Sequence, residues 1–277
     1  MSAVASVHRA VPQPPTAQRT GITPLMKSEW IKLRSLRSSR WTVAALVIVT
    51  VGLGALFSAL TAAHFGDFSA KEKADWDPTN NSLAGAAFGQ LAAAVFGVLA
   101  VTAEFASGTI RSSVAAVPRR TPLLFAKAVV YGGVALAVGQ LISFASYFIG
   151  QALYSGHTPI SHIADAGVIR AITLTGCYFA LVSLIALGIG FALRHTAGAI
   201  TSLVALLMVF PAVVAALPTG AQNAIERFMP EQIAASSTGA VVPEAHYFGP
   251  WTGFGVLCLY AVLAMAVGGW TFLRRDV

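Results

Sequence analysis

Long apolar runs separated by short polar segments dominate this chain. Six runs, at about residues 41–63, 83–103, 123–153, 167–193, 197–217 and 251–273, carry almost no charge. Each reaches the roughly 20 residues a helix needs to cross the hydrocarbon core of a bilayer. The third and fourth are long enough to tilt or to extend past it. The pattern predicts an all-α integral membrane protein with six transmembrane helices. Residues 1–22, rich in Pro and Gln near their middle and lacking an apolar core, read as a disordered cytoplasmic tail rather than a cleavable signal. Residues 23–277 read as one six-span domain. No internal repeat is evident, which argues against an inverted-repeat carrier.

Composition narrows the class further. The chain is 56% hydrophobic and only 10% charged, against about 25% charged in soluble domains, so lipid is its main solvent. Fourteen of its eighteen Lys and Arg residues fall in segments that share one side of the membrane under this six-span reading. Arg9, Arg19, Lys27, Lys32, Arg34, Arg37 and Arg40 precede span 1, and Arg111, Arg119, Arg120 and Lys127 lie around the loop between spans 2 and 3. Arg194 follows span 4, and Arg274 and Arg275 follow span 6. Only Lys71, Lys73, Arg170 and Arg227 fall on the other side, with most of the acidic residues. The bias predicts cytoplasmic N- and C-termini. It also accounts for the net charge of +7 without nucleic acid, because the basic residues flank spans instead of forming one patch.

Two cytoplasmic segments stand out. In residues 23–40, Thr23 and Pro24 suit a helix start. Ile22, Leu25, Met26, Trp30, Leu33 and Leu36 then cluster at helical spacing, with Lys27, Lys32, Arg34 and Arg37 beside or opposite them. That pattern fits a helix lying in the membrane interface, Trp30 at headgroup depth. Glu29 interrupts the apolar arc, where Lys32 can pair with it. The alternative is a basic flank that only sets topology.

In residues 104–122, Gly108 can turn the chain sharply out of span 2. Thr109 can cap a short helix, Pro118 can end it, and Thr121–Pro122 can start span 3. Ile110, Val114 and Val117 share one face of that helix, while Arg111, Ser112 and Ser113 face elsewhere. Two turns of helix do not hold alone in water. The apolar face therefore packs on the protein itself, on headgroups, or on a cytosolic partner. Glu104, at the end of span 2, either pairs with Arg111 or Arg119 or orients the loop for a partner.

Several chemistries find no footing. None of the spans carries Asp, Glu, Lys or Arg near its centre, which argues against a proton-coupled carrier. The milder residues Gln90, Gln140, Ser143, Ser146, Thr173, Thr175, Ser183, Thr201 and Ser202 read mostly as helix–helix glue. Pro211 is a candidate kink in span 5. His157 and His162 do not share a helical face, so no metal site is read there. Cys177 and Cys258 lie in apolar stretches and suggest no disulfide framework. No phosphate-binding G-x-x-x-x-G-K-[ST] loop is present. The segment at about 218–250, with Ile225, Phe228 and Met229, is expected to fold back on the outer leaflet or cap the bundle.

Together, the opening K-S-E-W-I-K-L-R-S-L-R-S-S-R-W from Lys27, the loop E-F-x-S-G-T-I-R-S-S-x-x-x-x-P-R-R from Glu104 and the closing F-L-R-R-D-V from Phe272 resemble the membrane subunit (permease) of ABC-2 type, or type V exporter-like, ABC transporters. Over residues 24–277 the chain looks most like their actinobacterial small-permease branch. The resemblance implies a multi-pass protein of the plasma (inner) membrane. The helix carrying Lys27, Glu29, Trp30, Lys32, Arg34 and Arg37 would be the interfacial connecting helix. Glu104, Gly108, Thr109, Ile110, Arg111, Val114, Pro118, Arg119 and Arg120 would form the coupling loop that docks on a separate ABC ATPase subunit. The chain itself would be no enzyme and hold no cofactor, ATP and Mg²⁺ being bound by the partner. A second permease copy, identical or not, would complete an exporter. The competing reading is a non-transporting scaffold that anchors a cytosolic ATPase or signalling partner.

Overall fold

The computed structural model describes residues 21–116, 120–238 and 248–275. The first 20 residues, and with them nearly all of the expected tail, lie outside these, as do Val117, Pro118 and Arg119 of the loop. Among the described residues there is no strand, and six helices are long and apolar enough to cross a membrane.

In chain order the helices are α1 (Ile22–Ser35), α2 (Arg37–His64), α3 (Ala70–Ala74), α4 (Pro78–Ser82), α5 (Ala86–Ser107), α6 (Thr109–Ala116) and α7 (Arg120–Tyr154). They continue with α8 (Val168–Leu193), α9 (Thr196–Val204), α10 (Phe210–Ala215), α11 (Thr219–Glu226), α12 (Pro230–Thr238) and α13 (Pro250–Arg274). Spans 1 to 4 are α2, α5, α7 and α8. Span 5 is α9 and α10 joined by a π-helical turn, Ala205–Val209, and span 6 is α13.

Span 4 is the axis of the bundle. Of its most apolar window 61% is buried within the protein, against 22% for spans 1 and 5. It packs against α5, α7 and α13. Such helices approach closely only where side chains are small. A Cβ added to Gly97 would lie 2.1 Å from the carbonyl oxygen of Ser183, and one added to Gly268 would lie 2.2 Å from that of Gly188. These contacts set the α5–α8 and α8–α13 spacings. Around them Phe96, Val101, Tyr131, Leu187, Phe191 and Phe272 form one buried cluster. Ala93, Val98, Phe179, Ala186, Leu203 and Leu257 form another. The outward faces, with Trp41, Ile48, Leu141, Val262 and Trp270, stay apolar and exposed, as lipid contact requires.

Span 5 departs from a simple helix. Pro211 has no N–H to give and its ring crowds the carbonyl four residues back. The π turn sits immediately before it. Beside this turn lies an apolar hollow of about 580 Å³ lined by Ile185, Leu206, Phe210, Phe228 and Leu263 among others. In the described part of the 218–250 segment, α12 packs across α8 and α13 at that end of the bundle. Met229, Ile233 and Ala234 are buried there, while Ile225 and Phe228 remain exposed.

The polar residues of the spans divide by partner. Gln140 Nε2 donates to Thr173 O at 2.9 Å and Ser183 Oγ to Ala93 O at 3.0 Å, both between helices. Ser143 and Thr175 bond back to carbonyls one turn earlier in their own helices. At the end away from the termini, Tyr154 Oη donates to Ser58 Oγ, and Gln151 Nε2 reaches Pro78 O and Ser82 Oγ, tying α2, α4 and α7 together.

If the Gly268–Gly188 contact sets the α8–α13 spacing, Gly268→Val destabilises the purified protein by about 1–3 kcal/mol, the usual cost of overpacking. Gly133→Ala, where an added Cβ meets nothing within 4 Å, leaves stability nearly unchanged. Thermal unfolding in detergent compares the two.

Candidate functional site: a ring of buried ions

Both described chain ends meet at one end of the bundle, where α1, α6 and the ends of α5, α7, α8 and α13 converge. Here four charged side chains close a ring. Lys127 Nζ, 0% exposed, lies 2.7 Å from Glu29 Oε2 and 2.7 Å from Glu104 Oε1. Lys32 Nζ lies 2.9 Å from Glu29 Oε1 and 2.9 Å from the same Glu104 Oε1. Each ammonium has three N–H groups, and each finds three acceptors. Lys32 adds Ser113 Oγ at 3.1 Å, and Lys127 adds Ala100 O at 3.3 Å. The ring therefore joins α1, α5, α6 and α7. Its two carboxylates and two ammoniums sum to no net charge, which lets Glu29, Glu104 and Lys127 be buried, while Lys32, its side chain 31% exposed, closes the ring on the solvent side. Glu104 Oε2 is buried and accepts no hydrogen bond.

The ring also decides how α1 sits. Its buried face is Leu25, Glu29 and Leu33, one turn apart each, with Leu25 against Ala126 and Leu33 in the cluster around Phe96. Glu29 thus occupies the centre of the inward stripe instead of interrupting it. Trp30 and Leu36, expected within that stripe, are 44% and 38% exposed, and Ile22 is exposed as well. The helix begins at Ile22 after Gly21, which gives no side-chain cap. Thr23 and Pro24 accordingly fall within the first turn, where Pro costs no hydrogen bond. Lys27, Arg34 and Arg37 point to solvent.

Gly108 ends α5 in the left-handed region, φ +72°, and lets α6 start at once. Thr109 is the first helical residue of α6, so it does not occupy the cap position expected for it; its hydroxyl pairs with Ser107 Oγ at 2.9 Å. Ile110 is 2% exposed and Val114 packs against the same cluster. The apolar face of α6 is therefore spent on the protein itself. Thr109, Arg111, Ser112 and Ala115 form its exposed side. Glu104 pairs with Lys32 and Lys127 rather than with Arg111. Arg119 and Pro118 lie outside the described residues.

Arg120 belongs to α7 and does a different job from that of a loop residue. Its Nη1 donates to Phe272 O and Arg275 O, both at 2.9 Å. Arg194, in the left-handed region at φ 57°, donates from Nη2 to Thr271 O at 3.3 Å and Arg275 O at 3.1 Å. Carbonyls at the end of a helix have no partner within it, and cations suit that pole. Two arginines from other spans thus clamp the end of α13.

Charge at this end is sorted by depth. Lys27, Arg34, Arg37, Arg40, Arg111 and Arg274 are exposed, whereas the described acidic side chains here, Glu29 and Glu104, are both buried in the ring. Of the ring, the sequence suggested only the Glu29–Lys32 pair. In the sequence Lys127 reads as a cation flanking span 3, and the signal of its role is a lysine set five residues into an apolar run. Among the described residues no group of three or more His, Cys, Asp or Glu is placed to hold a metal ion. No protein-family model matches the chain, and no curated protein matches it.

Removing one member of a buried ion pair costs about 3–5 kcal/mol. Lys127→Met should therefore be strongly destabilising, and adding Glu29→Gln, which restores neutrality, should recover part of the loss in the same unfolding assay. Lys32 gives a pH signature. Burial alone would lower its pKa, but the hydrogen bond and charge of Glu29, with Glu104 behind them, raise it above the ordinary lysine value. A raised folded-state pKa gives stability that is complete below the unfolded value and is lost as pH rises through the folded one. The stability advantage of the wild type over Lys32→Met should be constant through neutral pH and shrink only above about pH 10.4.

Proposed function

We propose that this chain is the membrane subunit of an ATP-binding-cassette exporter of the ABC-2 type, driven by a separate ATPase subunit and paired with a second permease copy in the plasma membrane. The end that holds the ion ring faces the cytoplasm. The observation that supports this reading is the ring itself, which locks a short exposed helix, an interfacial helix and two spans into one unit. The exposed cations around that end agree with the cytoplasmic orientation.

In this mechanism ATP closes the paired ATPases against the outer side of α6. Ile110 and the Lys32–Ser113 hydrogen bond pass that displacement into α5 and α1, and Lys127 passes it into α7. The spans then rock and open a path to the other side. The polar outer side of α6, with Arg111 at its centre, is the docking face, and the apolar side is the anchor. Arg120 acts in this scheme by holding the end of span 6 in register with span 3. Reversing its charge would disturb the bundle before it disturbed docking.

Affinity purification from membranes in mild detergent tests the proposal, with an ATPase subunit expected to accompany the chain. Arg111→Glu should weaken that association without lowering the permease's own thermal stability. Gly108→Val, strained at positive φ, should leave the ATPase bound but reduce transport-linked hydrolysis. A chain that purifies alone, an association indifferent to Arg111→Glu, or a transport-linked hydrolysis indifferent to Gly108→Val would refute the coupling role. Association without vesicle transport would favour a scaffold.

A further inference from the structure

At the opposite end of the bundle a second polar centre has no part in the scheme above. A cavity of about 130 Å³ lies between α4, α5, α8 and α12, and its walls include Asn80, Gln90, Thr175, Tyr178 and Glu231. Three of these polar side chains are at least nine-tenths buried, Gln90 at 2%, Thr175 at 1% and Tyr178 at 4% exposure.

The hydrogens of those three groups are largely committed elsewhere. Tyr178 Oη donates to Gln90 Oε1. Gln90 Nε2 donates to Ala87 O at 2.8 Å. Thr175 Oγ1 donates to Ala171 O at 2.8 Å. A hydroxyl has one hydrogen and two lone pairs, so Thr175 and Tyr178 have only lone pairs left to offer. Glu231, half-buried in the first turn of α12, adds a carboxylate. It makes no salt bridge among the described residues, and no Lys, Arg or His lines the cavity. Its burial raises its pKa, the mark of a negative charge held where solvent compensates it poorly. The N–H donors the wall has to spare are the second hydrogen of Gln90 Nε2 and the side-chain amide of Asn80.

A wall in which the Glu231, Tyr178 and Thr175 oxygens supply free lone pairs, and whose one charge is negative, favours a ligand that brings donors and a positive charge. We propose that this cavity binds the primary ammonium group of a small molecule, with Glu231 as counter-ion and the Tyr178 and Thr175 oxygens as further acceptors. Three N–H donors of an ammonium then meet three acceptor groups. The volume admits such a head group. This site is independent of the ATPase-coupled reading, since it depends on no partner.

Thermal unfolding of the purified full-length protein in detergent tests it, with methylammonium chloride as the probe. Sodium chloride and tetramethylammonium chloride at equal ionic strength are the controls, the second having the same charge and no N–H. A saturable rise in Tm with methylammonium alone is expected. Glu231→Gln should abolish it while unfolding no earlier than the wild type without ligand, because it removes a poorly compensated charge. Thr175→Val, which keeps the shape and removes the lone pairs, should weaken binding by about tenfold, the equivalent of one charge-assisted hydrogen bond. It also serves as the test should Glu231→Gln fail to fold. The proposal is overturned if either control salt raises Tm as much, if Glu231→Gln responds like the wild type, or if Thr175→Val leaves the midpoint unchanged.

Discussion

The constraint on which this structure rests is the cost of holding ions away from water. An ammonium or carboxylate moved into a low-dielectric interior loses several kcal/mol even after relaxation. Lys127, with no exposed surface, is tolerable only because two carboxylates and a carbonyl surround it. Those carboxylates are tolerable only because Lys32 balances the second charge. None of the four can be placed independently. Glu29 and Lys32 stand on α1, Glu104 ends α5 and Lys127 begins α7, so closing the ring dictates the position of α1 along and around the bundle. An apolar contact of similar area would let α1 slide or rotate with small loss. Paired donors and acceptors at 2.7–2.9 Å would not.

The rest of the bundle uses weaker and more forgiving means. Glycine contacts set the spacing of span 4 against spans 2 and 6, and two arginines hold the end of span 6. The far end is joined by hydroxyl and amide groups, Ser58, Ser82, Gln151 and Tyr154, whose loss of water costs less than that of ions. Spans 1 and 5 are the least buried, and span 5 is also interrupted by the π turn ahead of Pro211. Rigidity is thus concentrated at the end bearing the chain termini, and looseness lies along span 5 and the capping helices.

The spans were legible in the sequence because each is decided locally, by some twenty apolar residues in a row, and the six stretches match the six helices to within a few residues. The ring as a whole was not, because three of its four pairs are separated by 98, 72 and 23 residues and no local pattern brings those together. The clues were two residues of opposite sign each in the wrong company, Glu29 in an apolar arc and Lys127 inside an apolar run. Read singly, each is an imperfection; read as a pair, they predict a contact between α1 and span 3. The apolar faces of α1 and α6 illustrate the same limit. Periodicity identified Ile110 and Val114 as a face but not what covers it, and it assigned Trp30 to the stripe whose centre Glu29 holds. Arg120 was assigned to a loop because nothing local reveals that the carbonyls of span 6 end beside it.

The placement of the ions also bears on the proposed function. They lie within two turns of the helix ends, and the middles of the spans are served by neutral groups that bond to neighbouring backbone. A proton or ion path needs groups that change charge along the membrane's depth, whereas a ring with every ammonium hydrogen satisfied resists any change of charge. What such a ring does well is keep its members together while they move. Helix α6, two turns long, cannot hold its shape alone. Its Ile110 is sunk in the core and its Ser113 is tied to Lys32, so a push on its exposed side cannot be absorbed by local unfolding without breaking contacts in three other helices. Displacement at α6 is therefore displacement of α1, α5 and α7, and span 5, little buried and broken by its π turn, is where the bundle can yield to it.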